Sequence, residues 1–391
     1  MDFEFSEEQR IIQKNVRQFM LKEIEPIAER IDREDKFPSG IWKKMGELGI
    51  LGANIPEEYG GAGFDLLAGV LVAEQIAKTC AALALSYAAH ANLCTDNIYR
   101  NGTEDQKRKY LPGLCSGDLV GCLALTEPNA GSDAVSIRST GVKDGNSFIL
   151  NGTKMFITNA PCGDIFLAYA KTNVAKKAKG ITAFIVEKRF PGVSVSKKLD
   201  KMGHRGSETG EIVFENCRVP IENVLGAIDE GISVMMGGLD VERAFVAAIP
   251  LGMAMGALEL ALKYSKEREQ FGQAIANFQL IKAKLADMYT EIEAARSLVY
   301  RAAVVADKIR QGGKGTEVHK IAAAAILFTA EMATRVVNQA LQIHGGYGIT
   351  LEYPINRFYR DVKLYEIGAG TSEIRRLIIA DELILRGLQY S

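Results

Sequence analysis

The sequence predicts a multidomain α+β protein in which an N-terminal α-helical domain and a C-terminal helical bundle flank a central antiparallel β domain. Apolar residues recur at helical spacing in the first part of the chain, short β-type runs follow, and helical spacing then returns. The chain has 391 residues, 47% of them hydrophobic, which is more than one core usually covers. We therefore expect three domains, at residues 1–118, 119–228 and 229–391.

Capping-box patterns mark the beginnings of two N-terminal helices. Ser6 and Gln9 stand three residues apart before a run of apolar residues at helical spacing, and Thr103 and Gln106 repeat the pattern. We expect the first of these helices to continue to Pro26. Between the two helices, the spacing predicts a helix over residues 41–48 and one long apolar helix over about 66–90. The apolar stretch at residues 79–94 is short for a membrane span, so we interpret it as buried.

The central region alternates short β-type runs with turn residues. Residues 148–150 and 155–157 flank Asn151-Gly152, which is the strongest hairpin signal in the chain. Asp144-Gly145, before these runs, is a further turn signal, and residues 165–170, 181–186 and 211–214 are further β-type runs. We expect these runs to pair as an antiparallel sheet.

Helical periodicity returns after Gly231 and predicts long helices that pack as a bundle. Gly252 and Gly256, four residues apart, indicate a close helix crossing. Glycines interrupt the pattern at Gly272, at Gly312-Gly313, at Gly345-Gly346 and at Gly368–Gly370.

Composition excludes several classes of function. The net charge is −1, from 47 basic and 48 acidic residues, so no long-range field would attract nucleic acid or an anionic membrane. The six cysteines are scattered without a C-x-x-C pair, which predicts reduced thiols and no metal site. The chain opens Met-Asp-Phe-Glu-Phe, which has no features of a targeting segment. We therefore expect a cytoplasmic protein that binds neither nucleic acid nor membrane.

Common catalytic motifs are absent from the sequence. We find no G-x-G-x-x-G, Walker A, G-x-S-x-G or H-E-x-x-H pattern, so nicotinamide-dependent, P-loop, serine hydrolase and zinc protease functions have no support. The lysines at Lys176, Lys177 and Lys179 could contact phosphates or form a solvated loop. The four histidines are far apart in the sequence, which argues against a histidine-centred mechanism.

One stretch has the composition of a cofactor site. Residues 123–133 read Leu-Ala-Leu-Thr-Glu-Pro-Asn-Ala-Gly-Ser-Asp, at the close of a β-type run that begins at Leu119. A strand end of this kind can present Thr126 and free backbone N–H groups to a ring or a phosphate. An ordinary strand-to-turn exit would have the same features, so this stretch alone leaves both interpretations open.

Five motifs in order decide between them: Leu-Thr-Glu-Pro-Asn-Ala-Gly-Ser-Asp, Asn-Gly-Thr-Lys-Met-Phe-Ile-Thr-Asn, Arg-Glu-Gln-Phe-Gly-Gln, Gln-Ile-His-Gly-Gly-Tyr-Gly and Gly-Ala-Gly-Thr-Ser-Glu-Ile-Arg-Arg. With them, the chain resembles the acyl-CoA dehydrogenase family from end to end. The resemblance implies a C-terminal four-helix bundle, a homotetramer and FAD between domains. It also implies oxidation of a saturated acyl-CoA to the α,β-unsaturated thioester, with electrons passed to an electron-transfer flavoprotein.

The resemblance assigns many residues to FAD. They are Leu123, Leu125, Thr126, Ser132, Phe156, Ile157, Thr158, Arg268, Phe271, Gln279, Gln342, Ile343, Gly345, Gly346, Thr371, Ser372 and Glu373. Arg268, Gln279 and the run 342–346 would reach the FAD of a neighbouring subunit. Phe156 stands where most relatives have tryptophan, which preserves ring stacking but loses an N–H donor.

The chemistry requires a carboxylate that removes the α proton of the thioester. In most of the family this base precedes the Gly-Thr-Ser of the last motif, where this chain has Ala369. Isovaleryl-CoA and long-chain relatives carry it on an earlier helix, and the matching residue in Leu-Asp-Val-Glu-Arg is Glu242. Apolar neighbours would raise the pKa of Glu242 toward neutrality. Alternatively, Glu242 is a surface glutamate that pairs with Arg243 and has no catalytic role. In that case Glu366 is the next candidate for the base.

The resemblance assigns a second set of residues to the substrate: Ser132, Ser233, Asp240, Arg243, Gly368, Ala369 and Gly370. The backbone N–H of Ala369 would hold the thioester oxygen, and Ser233 replaces an aromatic residue common in relatives. Gly368 replaces a tyrosine of straight-chain enzymes, which leaves room for a branched acyl group such as isovaleryl. Thr95 and Asp96 depart from the isovaleryl-type run, so a cyclohexanecarboxyl or benzylsuccinyl thioester is the alternative. A related flavoprotein oxidase is another.

Overall fold

The computed structural model describes residues 4–310 and 317–387, and its first part is helical. Helices α1 to α7 span Glu7–Phe19, Ala28–Glu34, Ile41–Glu47, Leu66–Ala77, Ala81–Ala88, Asn97–Asn101 and Glu104–Ser116. Both predicted capping boxes form, at the beginnings of α1 and α7. After Phe19 the first helix continues only as a π-helical turn, Met20–Ile24, and a 3₁₀ turn, Glu25–Ile27, that contains Pro26.

The single long helix expected over residues 66–90 is wrong, because the chain breaks between α4 and α5. Cys80 adopts an extended backbone before α5, and the hydroxyl of Thr79 accepts a hydrogen bond from Arg17 at 3.0 Å. After α5 the chain continues as a wide π-helical segment, Ala89–Asp96. Both helices are buried on nearly all faces, so their apolar pattern has no periodic contrast from which a break could be read.

The central sheet consists of strands β1 to β8. They span Gly121–Ala124, Thr140–Asp144, Ser147–Thr158, Ile165–Lys171, Ile181–Glu187, Val193–Val195, Thr209–Pro220 and Val224–Leu225. The order is β6-β7-β3-β2-β4-β5-β8, with β1 beside β4. Most pairings are antiparallel as expected, but β1 pairs with β4 in parallel, and β2 meets β4 in parallel at one residue pair.

The hairpin predicted at Asn151-Gly152 is wrong, because β3 runs straight through these residues. The hairpin turn lies between β2 and β3, where Asp144 pairs with Ser147. This is the turn that the sequence indicated at Asp144-Gly145. Gly152 instead lies at a shift in register between β3 and β7, with φ 149°. A Cβ atom at Gly152 would lie 2.2 Å from Ser139 Oγ, so this glycine permits a β-bulge and a close backbone approach.

The C-terminal part is again helical. After α8, Gly231–Val246, and α9, Ala248–Glu267, come the short strands β9, Glu269–Gln270, and β10, Gln273–Ala274. The remaining helices are α10, Gln279–Arg310, α11, Val318–His344, α12, Ile355–Val362, and α13, Ser372–Arg386. Helices α8 to α11 pack on one another as a four-helix bundle, and α13 packs on α11. The predicted glycine breaks all fall between elements, except Gly312-Gly313, which lies outside the described residues.

Helix α9 also packs on the N-terminal helix α4. A Cβ atom at Gly252 would lie 2.3 Å from Glu74 O, and one at Gly256 would lie 2.5 Å from Lys78 O. The close crossing predicted from these glycines is therefore confirmed. Segments Gly231–Glu267 and Val318–Ile349 are long and apolar enough to cross a membrane, but 72% and 61% of their most apolar windows are buried in the protein, as in core helices.

Candidate active site

Glu242 lies on α8 with 5% of its surface exposed. Its Oε2 atom has no hydrogen-bond partner within the described residues 4–310 and 317–387. Burial raises the pKa of the Glu242 carboxyl from 4.5 to about 7, although the charges of Arg243 and Arg375 oppose this rise. The alternative of a solvated surface glutamate is therefore wrong, and the predicted shift of its pKa toward neutrality is confirmed.

The two arginines near Glu242 make their contacts elsewhere. Arg243 donates to Asp240 at 3.0 Å, and the other carboxylate oxygen of Asp240 lies 2.7 Å from His319 Nδ1. Arg375, on α13 and fully buried, donates to the carbonyls of Tyr365 and Gly368, each at 2.6 Å. The two positive charges therefore act on Glu242 electrostatically, while one oxygen of its carboxylate has no hydrogen-bond partner in the described part of the chain.

A small cavity adjoins α8 one helical turn before Glu242. We call it the α8 cavity, and it is too narrow to hold a water molecule. Its lining consists of Leu93, Asn97, Leu123, Leu125, Tyr169, Met235, Gly238 and Leu239. The Tyr169 ring belongs to this lining and also lies within electrostatic reach of Glu242. The cavity therefore lies between α8, the helix that carries Glu242, and the end of strand β1.

The segment from Gly368 to Gly370 has an unusual backbone. Ala369 has φ 57° and Gly370 has φ 87°, and the left-handed region costs an alanine about 1 kcal/mol. Arg375 fixes this segment through the carbonyl of Gly368. The N–H of Ala369 donates to no backbone carbonyl among the residues that the structure describes. A strained residue with a free donor is typical of a functional site.

The residues that follow β1 are held by a buried ion pair. Lys154 Nζ on β3 lies 2.7 Å from Glu127 Oε1 and donates to Leu125 O at 3.2 Å. The backbone carbonyl of Thr126 accepts from Met155 N at 2.8 Å. Burial lowers the pKa of Lys154 to about 8, although Glu127 opposes this. These contacts make the exit of β1 rigid, so that Leu125 and Thr126 are held in position.

Several predicted cofactor residues present unsatisfied or exposed groups. Phe156 is 64% exposed with φ 60°, while its neighbour Ile157 is buried and Thr158 is half-buried. Thr371 caps α13 by accepting from Ile374 N at 3.3 Å. Next to it, Ser372 Oγ is buried and has no hydrogen-bond partner in the described part of the chain. Glu373 is exposed in the first turn of α13.

A second group of predicted cofactor residues lies in or near a separate cleft. A cleft of about 940 Å³, its open mouth included, contains Arg268, Ile343, Gly345 and Gly346 in its lining. We call it the Arg268 cleft. Phe271 is 94% exposed, and Gln279 and Gln342 are also exposed. The cleft shares no lining residue with the α8 cavity, so one chain carries two separate groups of predicted cofactor residues.

The predicted substrate residues are divided between surface and interior. Ser132 and Ser233 are exposed, whereas Asp240 and Arg243 are buried against each other and His319. Gly368 is half-buried and is not among the residues that line the α8 cavity.

Thr95 and Asp96 do not line the α8 cavity either. Thr95 Oγ1 donates to His90 O at 2.8 Å, and Asp96 forms a buried ion pair with Arg310 at 2.6 Å. Their neighbours Leu93 and Asn97 form the wall instead, because residues four apart lie on the same face of a helical segment.

Glu366 is less suited than Glu242 to act as a base. It is bound to Lys363 and Thr334 at 2.5 Å each. Burial raises the pKa of Glu366, but these two hydrogen bonds outweigh it and lower the pKa below its usual value. The Glu366 carboxylate is therefore ionised, but its oxygens already accept hydrogen bonds and are not available to take a proton from a substrate.

The sequence analysis missed four residues that the structure places around this site: Asn97, Lys154, Tyr169 and Arg375. Lys154 and Arg375 lie inside two of the recognised motifs, which was a usable signal. Asn97 and Tyr169 lie in stretches without a motif, and only packing brings them to the cavity.

Comparison with known proteins gives matches along the whole chain. Three parts of one family match in order: "Acyl-CoA dehydrogenase, N-terminal domain" at residues 6–118, "middle domain" at 122–217 and "C-terminal domain" at 229–384. The chain is 49% identical to isovaleryl-CoA dehydrogenase, mitochondrial, of Solanum tuberosum, over 97% of this chain and 91% of that protein. It is 48% identical to 2-methylacyl-CoA dehydrogenase, mitochondrial, of the same organism, over 96% and 90%.

Solved structures share the fold over nearly the whole chain. A chain from a structure described as the electron transferring flavoprotein of Acidaminococcus fermentans has a TM-score of 0.95 at 42% identity, covering 99% of this chain and 100% of that one. Acyl-CoA dehydrogenase complexed with FAD from Bacillus anthracis has 0.91 at 35%, covering 98% and 68%. The prolyl acyl carrier protein oxidase AnaB has 0.91 at 34%, covering 97% and 100%.

Proposed function

The chain belongs to the acyl-CoA dehydrogenase family, and we propose that it oxidises a short branched acyl-CoA, isovaleryl-CoA in the first place, to the α,β-unsaturated thioester. Members of this family are oxidoreductases that act on CH–CH bonds. The product of isovaleryl-CoA would be 3-methylcrotonyl-CoA. The observation that carries the proposal is the buried Glu242 carboxylate, which has an unpartnered oxygen in the described residues and a pKa of about 7.

Glu242 is the proposed catalytic base. A base works best when its pKa is close to the operating pH, because it is then both ionised and basic enough to take a proton. The α carbon of the thioester loses a proton to a Glu242 carboxylate oxygen. The pKa of about 7 for this carboxyl leaves a large fraction ionised at neutral pH. Ala369 at the usual base position cannot accept a proton, so no second carboxylate competes there.

The backbone of Ala369 is proposed to hold the thioester oxygen. Removal of the α proton places negative charge on that oxygen, and a fixed N–H donor stabilises it. Arg375 holds the carbonyl of Gly368 one residue earlier, so the donor is fixed before substrate arrives. The left-handed backbone of Ala369 would then be retained for function.

The residues present fit a flat, partly polar cofactor such as FAD. The exposed Phe156 ring can stack on an aromatic group, and the buried Ser372 Oγ lacks a partner in residues 4–310 and 317–387. Leu125, Thr126, Phe156 and Thr158 would lie against the flavin, and Thr371, Ser372 and Glu373 would hold its adenosine part. When bound, FAD accepts the β hydrogen of the substrate as hydride. The relative from Bacillus anthracis described as complexed with FAD supports this cofactor.

A homotetramer is proposed for the assembly. The Arg268 cleft is separate from the α8 cavity, and its lining contains Arg268 and residues 343–346, which are among those expected to reach the FAD of a neighbouring subunit. The Phe271 side chain is 94% exposed, and an exposed apolar ring of this kind suits a surface that a second chain covers. An electron-transfer flavoprotein is the proposed electron acceptor, supported by the structural neighbour that carries that description. The cytoplasm is the proposed location, since all six cysteines are free thiols.

The experiment is an anaerobic titration of the FAD-loaded protein with a panel of acyl-CoAs. We expect isovaleryl-CoA to bleach the flavin absorbance faster than butyryl-CoA, 2-methylbutyryl-CoA or cyclohexanecarboxyl-CoA. Glu242→Gln should bleach about two to four decades more slowly, while Glu366→Gln, the control, should bleach at the wild-type rate. A protein that retains FAD but is bleached by no acyl-CoA would contradict the proposed function.

The alternative of an oxidase has one observation in its favour, the structural similarity to prolyl acyl carrier protein oxidase AnaB. An oxidase would consume oxygen at the rate of substrate turnover, whereas a dehydrogenase needs an added electron acceptor. Measurement with an oxygen electrode, with and without an electron-transfer flavoprotein, separates the two functions.

A further inference from the structure

Lys154 is a fully buried cation that the proposed reaction does not use. Its Nζ atom lies 2.7 Å from Glu127 Oε1, and Glu127 also accepts hydrogen bonds from the backbone N–H groups of Arg138 and Ser139. A buried ion pair is weak evidence for stability, because the desolvation of its charges offsets their attraction. Apolar side chains of similar size could fill this place, which points to a second role for the charge of Lys154.

The second hydrogen bond of Lys154 leads to the residues expected to face the flavin. Lys154 Nζ donates to the carbonyl oxygen of Leu125 at 3.2 Å. This carbonyl shares its peptide group with the N–H of Thr126, which donates to no backbone carbonyl in the described part of the chain. Thr126 is half-buried, so part of its surface is open to a ligand. One peptide group therefore has a cation at its oxygen and a donor without a backbone partner at its nitrogen.

A cation bound to the oxygen of a peptide group strengthens the donor at its nitrogen, because hydrogen bonds in a chain polarise one another. Reduction of a flavin adds negative charge to its ring, and a fixed donor stabilises that charge. We infer that Lys154 is a positioning residue that acts through the Leu125–Thr126 peptide and raises the reduction potential of the bound flavin. Glu127 offsets this effect only in part, because two backbone N–H groups share its charge with Lys154.

This inference rests on FAD as the proposed cofactor and not on the acyl group of the substrate. The test is the midpoint potential of the FAD-loaded protein, measured without acyl-CoA by reductive titration against a redox dye. Lys154→Met combined with Glu127→Gln removes both charges at similar side-chain volume, so no unpaired charge stays buried. At a fixed potential and neutral pH, the ratio of reduced to oxidised flavin should be about tenfold lower in this double variant, the worth of about one hydrogen bond. For a two-electron couple this is about 30 mV.

Lys143→Met is the matched control. Lys143 is an exposed lysine on β2, the strand that pairs with β3, and water and salt screen a charge at the surface. Its loss should leave the potential unchanged. A double variant that retains FAD with the wild-type potential would overturn the inference, and so would a wild-type protein that binds no FAD. A flavin that no acyl-CoA bleaches would contradict the proposed function but would not alter these potentials.

The wild-type protein provides a second readout that needs no variant. Burial lowers the pKa of Lys154 to about 8, although Glu127, the charged group that faces it, opposes this. If Lys154 stabilises the reduced flavin, reduction must in turn make Lys154 hold its proton more tightly, so reduction takes up additional protons where Lys154 titrates. The midpoint potential should therefore fall more steeply with pH just above about pH 8. A constant slope through this range would show that the charge of Lys154 does not act on the flavin and would overturn the inference.

Discussion

The Glu242 carboxylate on α8 and the Arg375 guanidinium on α13 interact electrostatically in the interior, although neither is the hydrogen-bond partner of the other. Arg375 donates to Tyr365 O and Gly368 O, while Glu242 Oε2 has no partner within the described chain. Burial raises the pKa of Glu242, and the positive charge of Arg375 limits that rise. Arg375 therefore connects the proposed base to the segment that contains Ala369.

The first prediction concerns the position of the base. Glu242→Gly combined with Ala369→Glu moves the carboxylate to the place that most relatives use. If both places address the same α proton, the double variant should recover part of the activity that Glu242→Gly loses, with a shift toward straight-chain acyl-CoAs. Recovery should be partial, since about an ångström of misplacement removes much of the advantage of a base. Turnover numbers with isovaleryl-CoA and butyryl-CoA measure it, and no recovery on either would contradict the prediction.

The second prediction follows from the sign of the pKa shift. Glu242 has a pKa of about 7 in the folded protein against 4.5 without the protein environment, so the folded state keeps a proton that the unfolded state releases between these values. Stability must therefore fall as the pH rises through this window. Glu242→Gln stays neutral, so its free energy of unfolding relative to wild type should increase by about 3 kcal/mol between pH 4.5 and pH 8. Denaturant unfolding with saturating FAD measures this, and a constant difference would contradict it.

The third prediction concerns Arg375. Arg375→Lys keeps the charge but not the fork that binds two carbonyls, so kcat should fall about 10-fold while the pH profile of kcat/KM keeps its acid limb. Arg375→Gln removes the charge as well, so that limb should move to higher pH. The control is Arg376→Gln, because Arg376 is exposed and paired with Glu331, a type of surface pair that contributes little. An unmoved limb in Arg375→Gln would show that its charge does not act on Glu242.

The fourth prediction concerns Gly368. A Cβ atom there would lie 3.4 Å from Leu364 O and 3.6 Å from Leu364 Cδ1, so a side chain can be attached with small adjustment. Gly368→Tyr should depress kcat/KM for isovaleryl-CoA about 10- to 100-fold more than for butyryl-CoA, because its ring takes the space of the branch. Gly368→Ala is the control and should change the ratio little. Equal losses on both substrates would mean that Gly368 does not select the acyl group.

The fifth prediction concerns the Arg268 cleft. If Arg268 reaches the FAD of a neighbouring subunit, Arg268→Ala should release FAD several-fold faster on dilution, in parallel with dissociation of the proposed tetramer. Lys266→Ala, which removes an exposed cation from the same end of α9, should leave FAD retention unchanged. Size-exclusion chromatography with detection of flavin absorbance measures both. A monomer that keeps FAD as tightly as the tetramer would contradict the cross-subunit role.

Sequence patterns predicted the structure correctly where the interactions that form it involve only residues close together in the sequence. Both capping boxes form because their partners lie three residues apart on the same helix. The same local reading was wrong at Asn151-Gly152, because the close approach of Ser139, on another segment, decides the conformation of Gly152. It was also wrong between α4 and α5, where uniform burial hides the break.

The sequence by itself determined the order of helical, β and helical parts. Its resemblance to the acyl-CoA dehydrogenase family gave the candidate base, since this chain has Ala369 at one of the family's two base positions and Glu242 at the other. Only the tertiary structure decided that Glu242 is buried with a pKa of about 7, that Arg375 holds the neighbouring segment, and that Asn97 rather than Thr95 or Asp96 faces the α8 cavity. The physical reason is distance along the chain. Helix and turn preferences depend on residues a few positions apart, whereas desolvation and long-range charge depend on groups that only folding brings together.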